Sequence, residues 1–464
     1  MKDKLFALFL SSNFLTLSCW SHAQSLIEVY HKARMYDAQF LTARSAFDAA
    51  LEKTPQARAG LLPVISVAAS KSLQIGEGSF SGDGYSGVPS VSREIRAWSW
   101  TAQLIQPVFR LSNWVTYAQA DAQVVQANEQ LALAEQELLV RAAQIYFDVQ
   151  MAMQSVQVAE AQLQAIQEQL TLAQRSFEVG MGTITDVHEA KAKQALNVAQ
   201  RVSALNDLVA KQAEMEKLVG DYFPLPPTQL AQSLPALDPT DVNDWLMRAM
   251  NQNPQVRIQQ AALVVAEKEV AKSMAAHAPT LDVVTQRAAT YNSGALSTPA
   301  DLSTRVNSHQ TGLQLSIPLF AGGATQSKVR EAIALEQKAK EELTGAQRNA
   351  SSQVRQTFAG VMNGQAQVEA LEAAVEASKN SVASNKIGFK IGTRINPDVL
   401  NAEQQLYSTL RDLNKARIDA VMQSLKLKAT TGSLTAEDLI LLDRMMVPVA
   451  ATATHLAVSN RSAH

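Results

Sequence analysis

A long stretch without helix-breaking residues sets the strongest limit on how this chain can fold. Proline is absent from residues 108 to 223, and glycine is absent from residues 88 to 179. Because these two residue types interrupt helices, their absence predicts one continuous helix over residues 112–179. At 1.5 Å per residue, this helix would be about 100 Å long, whereas the helices of globular domains usually have three or four turns.

Apolar residues follow this predicted helix in two rows with a seven-residue period. The rows are Leu131, Leu138, Ile145, Ala152, Ala159 and Ile166, and Ala142, Val149, Val156, Leu163, Leu170 and Phe177. Valine likewise occupies every seventh position from Val354 to Val382, and apolar residues do so from Val399 to Leu427. A sustained 3.5-residue period predicts supercoiled helix packing. We interpret the rows as architecture, not as a cofactor site.

Two parts of the chain follow one plan. Phe177-Glu178-Val179-Gly180 recurs as Phe389-Lys390-Ile391-Gly392, and Leu104-Ile105-Gln106-Pro107-Val108-Phe109 recurs as Leu315-Ser316-Ile317-Pro318-Leu319-Phe320. Because equivalent positions stay 211 or 212 residues apart, we predict two structural repeats.

The predicted repeats cover residues 24–225 and 240–445. Each contains a helix, a β-hairpin, a long helix, a glycine turn and a second helix. A Pro-rich linker (220–239) joins the repeats, and a C-terminal segment (431–464) follows them. In the first repeat the elements are expected at 25–60, about 64–108, 112–179 and 183–219; in the second, the hairpin and the two helices after it are expected at about 281–320, 324–388 and 396–430.

The predicted strands alternate apolar and polar residues. Thr311, Leu313, Leu315, Ile317 and Leu319 share one face, and Trp98, Trp100, Ala102 and Leu104 do the same in the first hairpin. Alternation over about 10 residues is typical of transmembrane β-strands. Alternation alone fits a soluble half-buried hairpin equally well.

The N-terminus favours the membrane interpretation. A basic start, the apolar run of residues 5–10 and the small residues of Ser21-His22-Ala23 predict a signal peptide over residues 1–23. An interfacial helix is the alternative, and Cys19 could be a lipoprotein acylation site. After residue 23 the sequence contains no run of 18 apolar residues, so no transmembrane helix is predicted. Because an open sheet edge is not tolerated in hydrocarbon, four strands would have to share a barrel with identical neighbours.

Composition and motifs give no support to other classes of protein. The chain has 41 Lys+Arg and 43 Asp+Glu, so its net charge of −2 argues against nucleic-acid binding. One cysteine excludes a disulfide framework and multi-cysteine metal sites. His188-Glu189 lacks the second histidine of a zinc-protease helix, and Gly76-Glu77-Gly78 opens no helix. We therefore predict no catalytic residues, no metal site and no cofactor.

Several segments resemble the TolC-type outer-membrane efflux and type I secretion proteins. They are Ala57-Arg58-Ala59-Gly60-Leu61-Leu62-Pro63, Ile391-Gly392-Thr393-Arg394, Pro397-Asp398-Val399-Leu400 and Leu400-Asn401-Ala402-Glu403-Gln404-Gln405-Leu406-Tyr407. The residue sequences of these segments resemble those of the type I secretion branch of this family. The resemblance implies a mixed α/β membrane protein: a homotrimer whose 12-stranded outer-membrane β-barrel, with four strands from each chain, continues into a long periplasmic α-helical barrel. It also implies an equatorial collar, made by the linker and the C-terminal segment, and docking of an inner-membrane ABC or proton-driven transporter and a periplasmic adaptor protein.

The same resemblance implies roles for the turns between the helices. Thr185, Asp186 and Arg394 match residues that close the tunnel, and Thr185 could also cap the following helix. Phe389 stands where tyrosine is usual, so one closing hydrogen bond, worth about 1 kcal/mol, should be absent. Asp398 and Asn401 match two acidic rings of the periplasmic constriction, of which this chain keeps only the first. The expected docking tips are Val179, Gly180, Met181, Gly182, Ile391, Gly392 and Thr393.

Three functions remain open from the sequence. The first is a passive duct for type I secretion of polypeptides, opened by its transporter and adaptor. The second is the outer-membrane component of a multidrug efflux pump. The third, of another class, is a soluble periplasmic coiled-coil adaptor or scaffold.

Overall fold

The computed structural model of the protein describes residues 25–79, 90–230, 237–297 and 302–448. The expected signal peptide with Cys19, parts of both hairpin connections, and the end of the C-terminal segment lie outside the described residues. No helix in the described ranges is both long enough and apolar enough to cross a membrane.

In the first half of the chain, three short helices lead to a hairpin, a very long helix and a helix of about half that length. These are α1 (Leu26–Tyr36), α2 (Ala38–Leu51), α3 (Lys53–Ala59), β1 (Val64–Gly78), β2 (Val91–Arg110), α4 (Leu111–Glu178) and α5 (Ile184–Val219). Helix α4 starts directly after β2, so the long helix continues from the sheet.

The second half has the same order of helix, hairpin, long helix and helix. Its elements are β3 (Thr228–Leu230), α6 (Val242–Gln252), α7 (Pro254–Ala275), β4 (Thr280–Asn292), β5 (Thr304–Ser316), α8 (Ala324–Lys390), α9 (Asn396–Thr430), α10 (Ala436–Arg444) and β6 (Met446–Pro448).

Two element boundaries differ from the sequence-based expectation. The segment 25–60 is three helices, because buried Asp37 adopts an extended conformation and accepts a hydrogen bond from the Phe40 N–H (2.9 Å), which starts α2. Strand β5 ends at Ser316 and not near residue 320. Ser316 pairs with Thr280, the first residue of β4, so the chain beyond it has no partner there, and Pro318 has no N–H to donate.

The hairpins form one antiparallel sheet in the order β1-β2-β4-β5. Its apolar face is strongly exposed: Ile65 is 70% exposed, Val67 72% and Leu313 73%. Strands β1 and β5 are its two edges, so each has one neighbour in the sheet. The chain therefore carries a sheet with an uncovered apolar face and two open edges.

The seven-residue valine row on α8 is buried along its whole length. Val354, Val361, Val368, Val375 and Val382 are all at most 9% exposed. Small residues let α9 approach closely: a Cβ added at Gly364 would lie 3.1 Å from the Cβ of Ala420. At the end of a row on α4 the prediction is wrong, since Phe177 is 45% exposed.

The main core lies around the middle of α4, where α1, α5, α9 and α10 meet it. Gln150 and Gln154 hold the linker there. The Gln150 side chain donates to the Pro226 carbonyl (2.8 Å) and accepts from the Thr228 N–H (3.0 Å), and Gln154 donates to the Thr228 carbonyl (2.9 Å). Strand β3 then pairs with β6, so the linker and the C-terminal segment meet on α4.

Candidate functional site at the helix tips

Both long helices turn back through equivalent glycines. Gly180 follows α4 with φ 75°, and its N–H donates to the Phe177 carbonyl (3.0 Å). Gly392 follows α8 with φ 79° and donates to the Phe389 carbonyl (3.1 Å). Positive φ strains any residue with a Cβ, which explains glycine at both positions.

The residue that caps α5 is Thr183 and not Thr185. The Asp186 N–H donates to the Thr183 hydroxyl (3.2 Å), and the Thr183 N–H donates to the Asp186 carboxylate (3.0 Å). This reciprocal capping box requires the acidic residue three positions after the cap, as Asp186 is after Thr183. Thr185 lies in the first turn of α5.

A second glycine makes room for Arg394. A Cβ added at Gly388 would lie 2.7 Å from Arg394 Cγ, so a larger residue there would displace the arginine. The guanidinium lies 3.7 Å from Asp398, one helical turn away. At the first tip the equivalent pair is Ser176 and Gly182, where a Cβ on the glycine would lie 3.1 Å from the Ser176 Cβ. In both tips, one member of this close pair is glycine.

A groove of 740 Å³ lies between the two tips of one chain, and its walls include Gln169, Asp186, Phe389, Arg394 and Asn396. Asn396 is 3% exposed, and neither atom of its amide has a hydrogen-bond partner in the described chain. The buried carbonyl oxygen of the Gln169 side chain has none either. Leaving a buried polar group unpaired costs about 1–3 kcal/mol, so these amides are available to a partner that enters the groove.

The groove brings several sequence-predicted residues together. Asp186, Phe389 and Arg394 line it, together with Met181, Gly182, Ile391 and Gly392, whereas Thr185 does not. Among the described residues, no hydrogen bond or ion pair joins Asp186 to Arg394. Apolar side chains project beside the groove: Val179 and Ile391 are 69% exposed and Met181 is 86% exposed. The tips therefore combine exposed apolar groups with polar groups that lack partners.

Sequence reasoning missed the contacts that join the two helix hairpins near these tips. The Lys193 amine on α5 donates to the Asn401 side-chain oxygen on α9. Lys193 lies seven residues after Asp186, on the same face of α5, and this spacing was the signal available in the sequence. Leu400 packs beside this contact against Ile166 and Ala190.

Two further groups on α9 were also missed. The Tyr407 hydroxyl donates to the Ala161 carbonyl on α4 (3.4 Å). Burial, and then the Glu403 carboxylate, raise the pKa of Tyr407, so the phenol stays protonated as a donor at neutral pH. Glu403 is itself buried and accepts from Lys386 of α8 (2.7 Å).

Comparison with known proteins identifies the family to which this architecture belongs. Residues 29–221 and 245–433 match the family model described as Outer membrane efflux protein. The chain is 27% identical over 451 residues to Outer membrane protein TolC of Escherichia coli strain K12, covering 96% of this chain and 89% of that protein. It is 28% identical over 437 residues to the Proteases secretion protein PrtF of Dickeya chrysanthemi, covering 90% of each.

The crystal structure of the outer membrane protein VceC from Vibrio cholerae shares the fold, with a TM-score of 0.72 at 18% identity, covering 89% of this chain and 98% of that one. Each segment matched by the family model contains one hairpin of the sheet, the long helix after it and the helix that returns from the tip. The chain therefore belongs to the outer membrane efflux protein family, the TolC-type channels of the outer membrane.

Proposed function

We propose that three copies of this chain form one duct across the outer membrane and the periplasm, and that this duct serves type I secretion of polypeptides. The observation that carries the proposal is the four-stranded sheet with two open edges and an exposed apolar face. In a bilayer every backbone N–H and C=O needs a partner, so such a sheet is stable only when closed by further strands. Three sheets side by side give 12 strands.

The helices support the same assembly. Helices α4 and α8 contain 68 and 67 residues, or roughly 100 Å each at 1.5 Å per residue. Together with the stacked shorter helices, each chain contributes four helical columns, and three chains contribute 12. The tunnel wall then continues from the barrel into the periplasm, and its tips face the inner membrane.

The tips are the proposed docking and closing region. Exposed Val179, Met181 and Ile391 suit an apolar contact with a periplasmic adaptor, and the unpaired amides of the groove suit hydrogen bonds to it. Asp186 and Arg394 lie on one groove without bonding each other in one chain, and a closing link from Arg394 to a neighbouring chain would compete with its contact to Asp398 at 3.7 Å. Thr185 and Phe389 complete the closing set, and Asp398 with Asn401 forms the constriction.

The name of one relative favours secretion over drug efflux. PrtF is named a proteases secretion protein, and it matches 90% of this chain. The driving force would come from an inner-membrane transporter. The experiment is deletion of the gene, followed by measurement of polypeptides in the medium and of drug susceptibility. Lost secretion with unchanged susceptibility supports the proposal, and the reverse result identifies a drug-efflux component.

The assembly is tested by amine cross-linking of outer membranes extracted with detergent. We expect a trimer band that shifts on heating, as folded β-barrels do on gels. Recovery of a monomer in aqueous buffer without detergent would overturn the duct and support the soluble scaffold instead.

A further inference from the structure

We infer that the outer half of the sheet, where β4 and β5 end and β1 and β2 continue, binds the phosphate groups of an anionic glycolipid in the outer leaflet of the membrane. The binding element is one row of four side chains across the sheet, Lys71, Trp98, Tyr291 and Arg305, which we call the cationic row. This inference rests on the proposed barrel, and it adds a lipid partner that the export function does not require.

The strand register aligns the four side chains. Lys71 lies opposite Trp98, Trp98 opposite Tyr291, and Tyr291 opposite Arg305. Residues directly opposite in antiparallel strands share a face, so the row runs across all four strands on one side of the sheet. The Trp98 and Tyr291 rings stack at 6.2 Å with an interplanar angle of 23°. The Arg305 guanidinium lies 5.9 Å from the Tyr291 ring centroid, within cation–π range.

The cationic row lies on the apolar face, beside the last residue of β4 and the first of β5, and Leu73 and Ile75 continue this face beyond the row on β1. Ile65 and Val67 on β1, and Leu313 and Leu315 on β5, belong to the same face and lie nearer the helices. Lys71 is seven residues from the start of β1 and Arg305 is 11 from the end of β5, or about 23 and 36 Å along the strands. With strands tilted by about 40°, Lys71 is roughly 17 Å and Arg305 roughly 28 Å above the ends of their strands nearest the helices, so the row crosses the outer third of an apolar band about 25 Å tall.

Positive charge on this face exceeds its negative charge. Arg96 lies on the same face directly beyond the cationic row, and Arg287 and His309 lie on this face two rows nearer the helices. Arg96 is paired with Glu94 (2.9 Å). Within the strands that the structure describes, no carboxylate lies within ion-pair distance of Lys71, Arg287 or Arg305. Cations at a membrane interface are stabilised by anionic headgroups, and arginine binds phosphate in a bidentate manner.

The spacing selects the kind of lipid. Within one chain, Lys71 and Arg305 are three strand spacings apart, about 14 Å, so a single phosphate cannot contact both cations of that chain. A bisphosphorylated glycolipid could place one phosphate at each cation and its sugar rings over the Trp98–Tyr291 platform. In the proposed barrel, the position of the row in the half of the sheet away from the helices assigns it to the external leaflet.

The test measures lipid A binding to the detergent-purified full-length protein by native mass spectrometry. The double variant Lys71→Gln/Arg305→Gln should bind lipid A about ten- to thirtyfold more weakly. The two lost cations should contribute about equally to this weakening, because each Lys or Arg near an anionic membrane surface adds a similar amount to the binding free energy. Monophosphoryl lipid A should bind the wild type at an intermediate level. The matched control is Arg44→Gln/Lys53→Gln, which removes the same two charges from exposed positions on α2 and α3 and should bind normally.

Arg305→Lys retains the charge and should bind more tightly than the Gln variants. Equal lipid A binding by the wild type and the double variant would overturn the inference. So would full competition by phosphatidylglycerol, because that lipid carries a single phosphate and would report surface charge alone.

The same preparations separate this inference from the proposed function. If the protein forms a heat-modifiable trimer that conducts in bilayers but does not bind lipid A, only the glycolipid site is disproved. If the wild-type protein forms neither a trimer nor a channel, the proposed duct is disproved, whatever lipid the protein binds. The double variant should keep its trimer band and its conductance, since both side chains are exposed on the outside of the sheet.

Discussion

The middle and the tip of the long helices are held together in different ways. Around the middle of α4, 24 buried apolar residues from six helices and the linker form one cluster, with Tyr146 and Phe147 at its centre. Near the tips, the corresponding cluster has three buried members, Ile166, Ala190 and Leu400. Because buried apolar area provides most of the stabilisation of a fold, the middle acts as a fixed belt. The tips can separate without disturbing it.

Polar contacts carry more of the interaction at the tips. Lys193 with Asn401 and Tyr407 with the Ala161 carbonyl join the two hairpins. Buried Gln162, Gln169 and Asn396 leave amide atoms without partners in the described chain. Opening of the tips would expose these amides to water. Their hydration would offset part of the free energy that is lost with the contacts between the hairpins. A docking partner therefore needs to supply only a small differential binding energy to shift the tips.

The largest effect should follow from Phe147→Ala in the middle. Phe147 is 0% exposed, and truncation of a buried phenylalanine costs about 3–5 kcal/mol. We expect trimer dissociation on gels at a clearly lower temperature. Phe177→Ala, the same change at an exposed position on the same helix, should cost less than about 0.5 kcal/mol. Equal shifts for the two variants would contradict the contrast between the regions.

Leu400→Ala should affect closing more than stability. Leu400 is 2% exposed, and its truncation should cost the closed tip about 2 kcal/mol, the low end for leucine, since the hairpins can adjust. Resting single-channel conductance should rise, with little change in the dissociation temperature of the trimer. Leu196→Ala, at a 64% exposed position on α5, is the control. A large fall in trimer stability with unchanged conductance would place Leu400 in the fixed belt.

Gly388→Ala should reproduce Arg394→Ser. The added methyl would meet Arg394 Cγ at 2.7 Å, so both changes should remove the arginine from its position. Exposed ion pairs are worth about 0.2–1 kcal/mol, so we expect resting conductance to rise by up to about fivefold. Arg175→Ser, an exposed arginine at the first tip, should have no effect. Conductance that rises only in Gly388→Ala would show that the added methyl group, and not the loss of Arg394, controls closing.

Asp398→Ala should show its main effect in ion block. The variant removes three carboxylates from the proposed constriction, so block by multivalent cations should weaken severalfold. Asn401→Asp restores the second ring but places its charge beside Lys193, so its gain in block should be smaller than the loss in Asp398→Ala. Unchanged block in Asp398→Ala would remove this residue from the constriction.

Much of the candidate site could be read from residue types. Gly180 and Gly392 were found because positive φ selects glycine, and Asp186, Phe389 and Arg394 were found through the resemblance to the TolC-type proteins; the structure places all three on one groove. The cap was assigned to Thr185 because the short turn offers two threonines, and only the position of Asp186 relative to Thr183 selects between them. Lys193 was missed because its partner, Asn401, is more than 200 residues away.

The sequence by itself determined the local elements: two long helices, their valine and leucine rows, the alternating strands and the glycine turns. These depend on backbone preference and on periodicity within a few residues, which each segment carries alone. Tertiary structure decided that Gln150 and Gln154 hold the linker and that Lys71, Trp98, Tyr291 and Arg305 form one row. Such pairings depend on the register between distant segments, which is fixed only when the whole chain packs.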